Sequence, residues 1–105
     1  MKASIIIHDT WIVLRADDEA LKLFRAKSDQ LVGVPLTDLI DDADLRGLAS
    51  LRMQIARQKT PQEMPEVDYL FKRFDTTKFY GRVRTTKLSD PSEWESEITF
   101  LYEAY

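Results

Sequence analysis

The sequence predicts an α+β fold in which a five-stranded antiparallel sheet is covered on one face by short helices and one longer helix. The chain opens with two short runs of β-branched apolar residues. Hydrophobic residues then recur at helical spacing to about residue 59, and beyond residue 65 hydrophobic and polar residues alternate with a period of two. The resulting order, β-β-α-α-α-α-β-β-β, is typical of a helical layer on one antiparallel sheet.

The composition is that of a single globular domain. The 105 residues are 44% hydrophobic and 31% charged, so we take residues 1–105 as one domain. Fifteen basic and 18 acidic side chains give a net charge of −3, and such a chain lacks the concentrated basic face that nucleic acid requires. No apolar run approaches the ~20 residues of a membrane span. We therefore expect a cytoplasmic protein that binds neither nucleic acid nor membrane.

The cysteine and histidine content excludes several kinds of metal and catalytic site. The chain has no cysteine, which excludes a disulfide framework, a thiolate zinc site and a cysteine nucleophile. The one histidine, His8, leaves little for acid–base catalysis near neutral pH. Helix capping accounts for the acidic cluster at Asp41, Asp42 and Asp44, and no calcium-binding loop spacing is present. We expect no metal site and no enzymatic activity.

Turn and capping residues bound the short elements of the first half. A turn at Asp9–Thr10 separates two predicted strands, and Asp17 or Asp18 caps the helix that follows them. The predicted elements are strands at 4–8 and 11–15, a short helix carrying Phe24, a helical turn at 28–31 ending at Gly33, and a short helix starting at Pro35.

The longer helix is predicted from Asp42 to about Lys59, where Thr60–Pro61 ends it. Asp41 or Asp42 is the expected N-cap. Its apolar residues recur at three- and four-residue spacing, which is the pattern of an amphipathic helix. They are Leu45, Leu48, Ala49, Leu51, Ile55 and Ala56.

Three strands with alternating faces are predicted beyond Pro65. The residues predicted to face inward are Val67, Tyr69, Phe71, Phe79, Gly81, Val83, Thr85, Trp94, Ser96, Ile98, Phe100 and Tyr102. On the opposite face, Arg82 and Arg84 form one charged row, and Glu95 and Glu97 form another. If their strands are neighbours, the two rows are expected to form cross-strand ion pairs.

The order and spacing of these elements resemble a PAS domain over essentially the whole chain. The segments that carry the resemblance, in chain order, are ADDEALKLF, SDQLVGVPLTDLI, DDADL, VDYLFKRFDTTKFYGRVRTTKL and WESEITFLYEAY. Each motif is loose by itself, but together with the opening strand pair they occur in the family's order. Three departures are Asp17 for the usual asparagine, Arg25 for a glycine, and Thr76 for the glycine of the strand hairpin.

The resemblance implies a sensory or interaction module, not an enzyme. Such a module belongs to a signalling protein such as a sensor histidine kinase of a bacterial two-component system, a cyclic-dinucleotide enzyme or a transcriptional regulator. A ligand or partner would shift the population of its conformations and so bias an attached effector domain.

No cofactor is evident from the sequence, and non-covalent flavin binding stays open. The flavin photochemistry of light-sensing relatives needs a cysteine, as does a thioester-linked chromophore, and the chain has none. Haem in such proteins is usually held by a histidine of the long helix, whereas the single histidine here is His8 in the first strand.

A ligand cavity, if present, is expected between the long helix and the sheet. The candidate lining residues are Arg52, Leu48, Ile55, Tyr69 and Phe100. Arg52 lies near the middle of the helix's apolar arc, where its guanidinium could hold a small acidic ligand. Alternatively, its stem covers apolar surface while its head pairs with a surface carboxylate.

Two further interpretations remain open. The apolar residues Ile5, Ile7, Ile12 and Leu14 exceed what one sheet face can bury, which predicts a homodimer and allows a ligand-free dimerisation scaffold. A cone-shaped α+β enzyme with an aspartate general base would instead require a cavity that holds a carboxyl group of raised pKa.

Overall fold

A computed structural model describes residues 2–58, 61 and 64–104 of the chain. Within these ranges the elements are β1 (Lys2–His8), β2 (Val13–Ala16), α1 (Asp18–Phe24), α2 (Ser28–Leu31), a 3₁₀ turn (Leu36–Leu39), α3 (Leu45–Gln58), β3 (Met64–Lys72), β4 (Lys78–Lys87) and β5 (Glu93–Ala104). The strands form one antiparallel sheet in the order β2-β1-β5-β4-β3. The predicted fold class is confirmed.

The core lies between the helices and one face of this sheet. Along β4 the inward residues Phe79, Gly81, Val83 and Thr85 are buried, as the alternation predicted. Phe24 at the end of α1 packs edge-on against the Phe79 ring, with 5.5 Å between the ring centroids. Aromatic packing of this kind attaches the helical layer to the centre of the sheet.

The N-cap of the long helix lies two residues beyond Asp42, the later of its two predicted positions. Asp44 is the N-cap residue, because its Oδ1 accepts a hydrogen bond of 2.9 Å from the Gly47 amide. The predicted Asp41 instead accepts a bond from the Ala43 amide and lies 3.2 Å from the Lys78 ammonium. The predicted helix end at Lys59 and Thr60 lies outside the described residues.

Only part of the predicted apolar arc of α3 faces the sheet. Leu48 and Leu51 are buried, whereas Leu45 is 77% exposed and both Ala49 and Ala56 are exposed. The helix therefore keeps apolar residues on a face that packs against nothing described. No helix of the described ranges has the length and apolar character to cross a membrane.

A one-residue bulge reverses the faces at the end of β5. Gly81 pairs with Phe100, but the preceding β4 residue, Tyr80, pairs with Tyr102 rather than with Leu101. Leu101 is therefore the extra residue of the bulge. Tyr102 therefore lies beside Tyr80 on the outer face and is 58% exposed. This corrects its predicted inward position. The same shift brings Glu103 to the helix side of the sheet, opposite Phe79.

The charged rows of the outer face pair differently from the prediction. Arg84 and Glu97 are register partners, but the described ion pair of Glu97 is with Lys2, at 3.4 Å. Arg82 pairs with Asp68 of β3, with Nε 2.8 Å from the carboxylate. The two rows do lie side by side on one face, as predicted. The ion pairs expected between them are not among those of the described residues, because Lys2 on β1 and Asp68 on β3 supply the counter-charges of Glu97 and Arg82.

The first hairpin also differs from its predicted form. β2 starts at Val13, because Trp11 adopts a left-handed conformation with φ of 68° and closes a wider turn. Ile5 and Ile7 are fully buried in the core. The apolar surplus that suggested a dimer is thereby reduced to half-buried residues such as Ile12, and homodimerisation stays a prediction.

The β3–β4 turn generates a stability prediction. Thr76 occupies the left-handed region with φ of 74°, where an L side chain costs about 1–2 kcal/mol. Thr76→Gly should therefore raise the free energy of unfolding by about 0.5–1 kcal/mol in urea titrations, part of the relief being offset by the entropy of glycine in the unfolded chain. Thr86→Gly within β4 is the control and should lower it. Destabilisation by Thr76→Gly would contradict the account of this turn.

Candidate functional site

An interior cavity lies between α3 and the sheet. Its free space is about 20 Å³, which is room for about one water molecule. The turn before β2, the 3₁₀ turn, α3, β3 and β4 all contribute to its wall. The lining residues are Trp11, Leu36, Leu51, Gln54, Val67, Tyr69, Val83 and Thr85.

Two polar atoms of this wall lack a partner. Trp11 Nε1, a donor, and Gln54 Oε1, an acceptor, are buried without any hydrogen bond within the described structure. Trp11 is only 5% exposed, and a buried polar group without a partner costs about 1–3 kcal/mol. A donor and an acceptor on the wall of one cavity form a pair of contacts that a small polar molecule can complete.

The rest of the wall is neutral. Burial raises the pKa of the Tyr69 phenol, and the charge of Asp44 raises it further, so this side chain stays protonated at neutral pH. Thr85 shares its hydroxyl with Ser96, at an Oγ1–Oγ distance of 3.3 Å. The eight lining residues include no charged side chain. The cavity is therefore suited to an uncharged molecule rather than to an acid.

The residues predicted to line a cavity lie in different parts of the structure. Tyr69 does line the cavity. Leu48 is buried in the core, and Ile55 is half-buried against it. Phe100 instead lines a separate cleft at the end of β5, beside Arg73. A role of these side chains in ligand binding stays a prediction.

Arg52 does not line the cavity, as the sequence had predicted it would. It is exposed, and it is absent from the eight residues that line the cavity. The reason is the rotation of α3, which turns Leu51 and Gln54 toward the sheet and places Arg52 about 100° further around the helix. The predicted surface pairing is not seen either, because Arg52 has no ion pair among the described residues.

A second polar centre lies at the end of β5, where the sequence predicted none. The Arg73 guanidinium donates two hydrogen bonds to Glu103, of 2.6 and 2.8 Å, and Nε donates one of 2.7 Å to the Leu23 carbonyl. The guanidinium carbon of Arg73, Cζ, lies over the Phe79 ring, 4.7 Å from its centroid. Arg73 thereby joins the C-terminal end of α1, the β3–β4 turn and the end of β5.

This centre borders an open cleft of about 220 Å³ lined by Lys22, Leu23, Arg25, Arg73, Phe100 and Glu103. Its cationic groups already have counter-ions. Arg25 pairs with Asp75 at 2.5 Å, and Lys22 lies 3.7 Å from Glu19. We therefore interpret this cleft as a structural junction.

Five carboxyl groups of the described residues have a pKa that departs from its ordinary value, and each of these five is shifted downward. Hydrogen bonds from Arg73 lower the pKa of Glu103, and those from Thr77 and Arg25 lower that of Asp75. The pKa values of Asp41, Asp68 and Asp90 are also shifted downward, mainly by hydrogen bonds. None of these carboxylates lines the interior cavity. The cavity wall contains no carboxyl group of the kind that the enzyme interpretation requires, and the described ranges hold no cluster of potential metal ligands.

Sequence reasoning missed most of the cavity wall. Val67, Val83 and Thr85 were assigned to the correct face, and this parity could have identified them as lining residues. Gln54 follows Leu51 by three residues, so the helical period could also have placed it. Trp11 could not have been found in this way, because its orientation depends on a positive φ in the turn.

Comparison with known proteins identifies the fold. No protein-family model and no curated protein matches the sequence. Among solved structures, a PAS domain from a two-component sensor histidine kinase superposes with a TM-score of 0.68 at 21% identity, covering 98% of this chain and 85% of that one. The chain therefore has the PAS fold that the sequence motifs indicated.

Two further structures have the same architecture. The PAS domain of a LuxR-family transcriptional regulator from Burkholderia thailandensis, in complex with ethanol, has a TM-score of 0.69 at 18% identity, covering 95% of this chain and 88% of that one. A light-oxygen-voltage domain studied with a flavin analogue has a TM-score of 0.77 at 15% identity, covering 96% of this chain and 78% of that one.

The Glu103 carboxylate generates a prediction of pH dependence. Because its pKa is lowered in the folded protein, its contribution to stability is present near pH 7 and is lost as the pH falls below about 4.5. Glu103→Gln should destabilise the protein at pH 7, and its difference from wild type should shrink toward pH 3. Glu19→Gln, which removes the carboxylate of the more exposed ion pair with Lys22, is the control. A wild-type–Glu103→Gln difference that stays constant between pH 7 and 3 in urea titrations would contradict this assignment.

Proposed function

We propose that this chain is a sensory module of a signalling protein and that its interior cavity binds a small neutral molecule. The observation that carries the proposal is the pair of buried atoms without partners, Trp11 Nε1 and Gln54 Oε1, on one cavity wall. Binding would bias the position of α3, which supplies Gln54, and so alter an attached or partner effector domain by a population shift.

The ligand class follows from the chemistry of the wall. A hydroxyl or primary amide group can accept from the Trp11 indole and donate to the Gln54 carbonyl oxygen. The apolar walls formed by Leu36, Leu51 and Val67 suit a short aliphatic part. The ethanol bound to the Burkholderia PAS domain has this combination of groups. The small acidic ligand expected from Arg52 lacks a counter-charge in this cavity.

The size of the cavity constrains both ligand and mechanism. Pockets for larger ligands have about 300–1,000 Å³, against about 20 Å³ here. Flavin and haem do not fit this space, and we propose no chemistry through them. Even a molecule of two or three heavy atoms must enlarge the cavity. Since α3 packs against the sheet at one side of the cavity, its displacement is the expected response.

The main alternative, a ligand-free dimerisation scaffold, leads to a different expectation. It would use the half-buried apolar residues of the first hairpin, Ile6, Ile12 and Leu14, as an interface. Its cavity would stay unresponsive to small molecules. The unpaired donor and acceptor favour the sensory interpretation, because a scaffold gains nothing from leaving them buried. Dimerisation and the absence of catalysis stay predictions.

The two tryptophan indoles provide a test with an internal control. Trp94 Nε1 already donates to Asp9 at 2.9 Å, whereas Trp11 Nε1 has no described partner. In NMR titrations with ethanol, the Trp11 indole resonance should shift saturably and the Trp94 resonance should not. Gln54→Leu should weaken the response at least fivefold, and the exposed Ser50→Ala should leave it unchanged. Equal, non-saturating shifts of both indoles would contradict a cavity site.

A further inference from the structure

The outward side of α3 carries apolar residues that pack against nothing described. Leu45 is 77% exposed and Met53 is 53% exposed, and Ala49, Arg52 and Ala56 are also exposed. We call these five residues the α3 outer stripe. Leu45, Ala49, Arg52 and Ala56 follow one another at intervals of four, three and four residues, which is the seam spacing of helices that pair side by side. The stripe is about 16 Å long at the rise of an α-helix.

The charged side chains of α3 are all positive. α3 holds three of the 15 basic side chains and none of the 18 acidic ones, so the other residues carry a net charge of −6. Arg46, Arg52 and Arg57 are exposed and make no ion pair in the described structure. Arg46 lies in the first helical turn, where a cation opposes the helix dipole. Arg57 lies in the last turn, where a cation suits the dipole, but Arg46, Arg52 and the exposed Leu45 have no such role in the isolated domain.

We propose that the α3 outer stripe docks an acidic amphipathic helix of a partner protein. The two alanines, Ala49 and Ala56, allow a second helix to approach closely, while Leu45 and Met53 supply apolar contact. Arg52 lies within the seam, so a partner helix must place a carboxylate opposite it to avoid burying an unpaired charge. Arg46 and Arg57 flank the stripe and attract acidic residues at the partner's margins.

The same features argue against other occupants. A symmetric pairing of two α3 helices would bring their arginines together, and like charges in contact oppose association. An interfacial membrane helix needs a broad apolar face with large side chains. Here only Leu45 and Met53 are large, and Arg52 lies within the apolar stripe. This inference does not require a ligand in the interior cavity, so it can fail or succeed independently of the proposed function.

A synthetic peptide serves as the probe. It is an amphipathic helix with leucines on its seam, one central seam glutamate and glutamates at its margins, and a second peptide replaces every glutamate by lysine. In NMR titrations of the whole chain, the acidic peptide should shift amides of α3 and bind at least tenfold more tightly than the basic one. Its affinity should also fall as salt rises.

Matched charge reversals locate the site. Arg52→Glu should weaken the acidic peptide at least tenfold, and the milder Arg52→Gln should weaken it less. Arg84→Glu, which reverses an equally exposed arginine without an ion pair on β4, should change the affinity less than twofold. Thermal melts establish that each variant is folded.

Several outcomes would overturn the inference. These are equal affinity for both peptides, shifts confined to the sheet, or an equal loss in the Arg52 and Arg84 variants. Binding to phosphatidylglycerol vesicles without binding to the acidic peptide would assign the stripe to a membrane surface. A dimer in sedimentation equilibrium that Arg52→Glu dissociates would assign it to a second copy of the chain.

Discussion

The Asp44 carboxylate sets the position of the helix on which both proposed sites depend. Its Oδ1 accepts a hydrogen bond of 2.9 Å from the Gly47 amide, and its Oδ2 accepts one of 3.0 Å from the Leu70 amide on the outer edge of β3. One side chain thus caps α3 and attaches it to the sheet. Gly47 is required for this contact, since a Cβ there would lie 2.3 Å from Asp44 Oδ2. The bridge fixes the rotation of the helix about its axis, because both oxygens are engaged.

Because of that rotation, the two faces of α3 have different surroundings. Leu51 and Gln54 face the interior cavity, whereas Leu45 and Arg52 face outward. A molecule that enlarges the cavity must move the helix that carries the outer stripe, so ligand and partner would be coupled through one rigid element. At the same end of β3, Arg73 joins α1 to the end of β5 through hydrogen bonds to the Leu23 carbonyl and to Glu103. Arg73 thus attaches α1 to the sheet near its C-terminal end, whereas Asp44 attaches α3 by its N-terminal end.

The architecture could be predicted from sequence because local patterns determine it. Alternation identified the inward faces of β3 and β4, and turn and capping residues located the short helices. The α3 errors have a common cause: a helical wheel shows an apolar arc but does not show which part of it faces the sheet. The pattern placed Arg52 in the arc, and the Asp44 bridge turned that part outward. The bulge at Leu101 depends on register between strands, so it could not be predicted from the periodicity of β5 alone. Trp11 depends in the same way on a backbone conformation that its residue type does not favour.

The hydrogen exchange rate of the Leu70 amide tests the role of Asp44 most directly, because the Asp44 side chain is its described acceptor. In wild type this amide should be protected although it lies on an edge strand. Asp44→Ala should accelerate exchange of Leu70 and of the α3 amides at least tenfold, while the central strands β4 and β5 retain their protection. Asp42→Ala, an exposed neighbour, should change neither. Unchanged exchange of the Leu70 amide in Asp44→Ala would contradict the conclusion that this bridge positions α3.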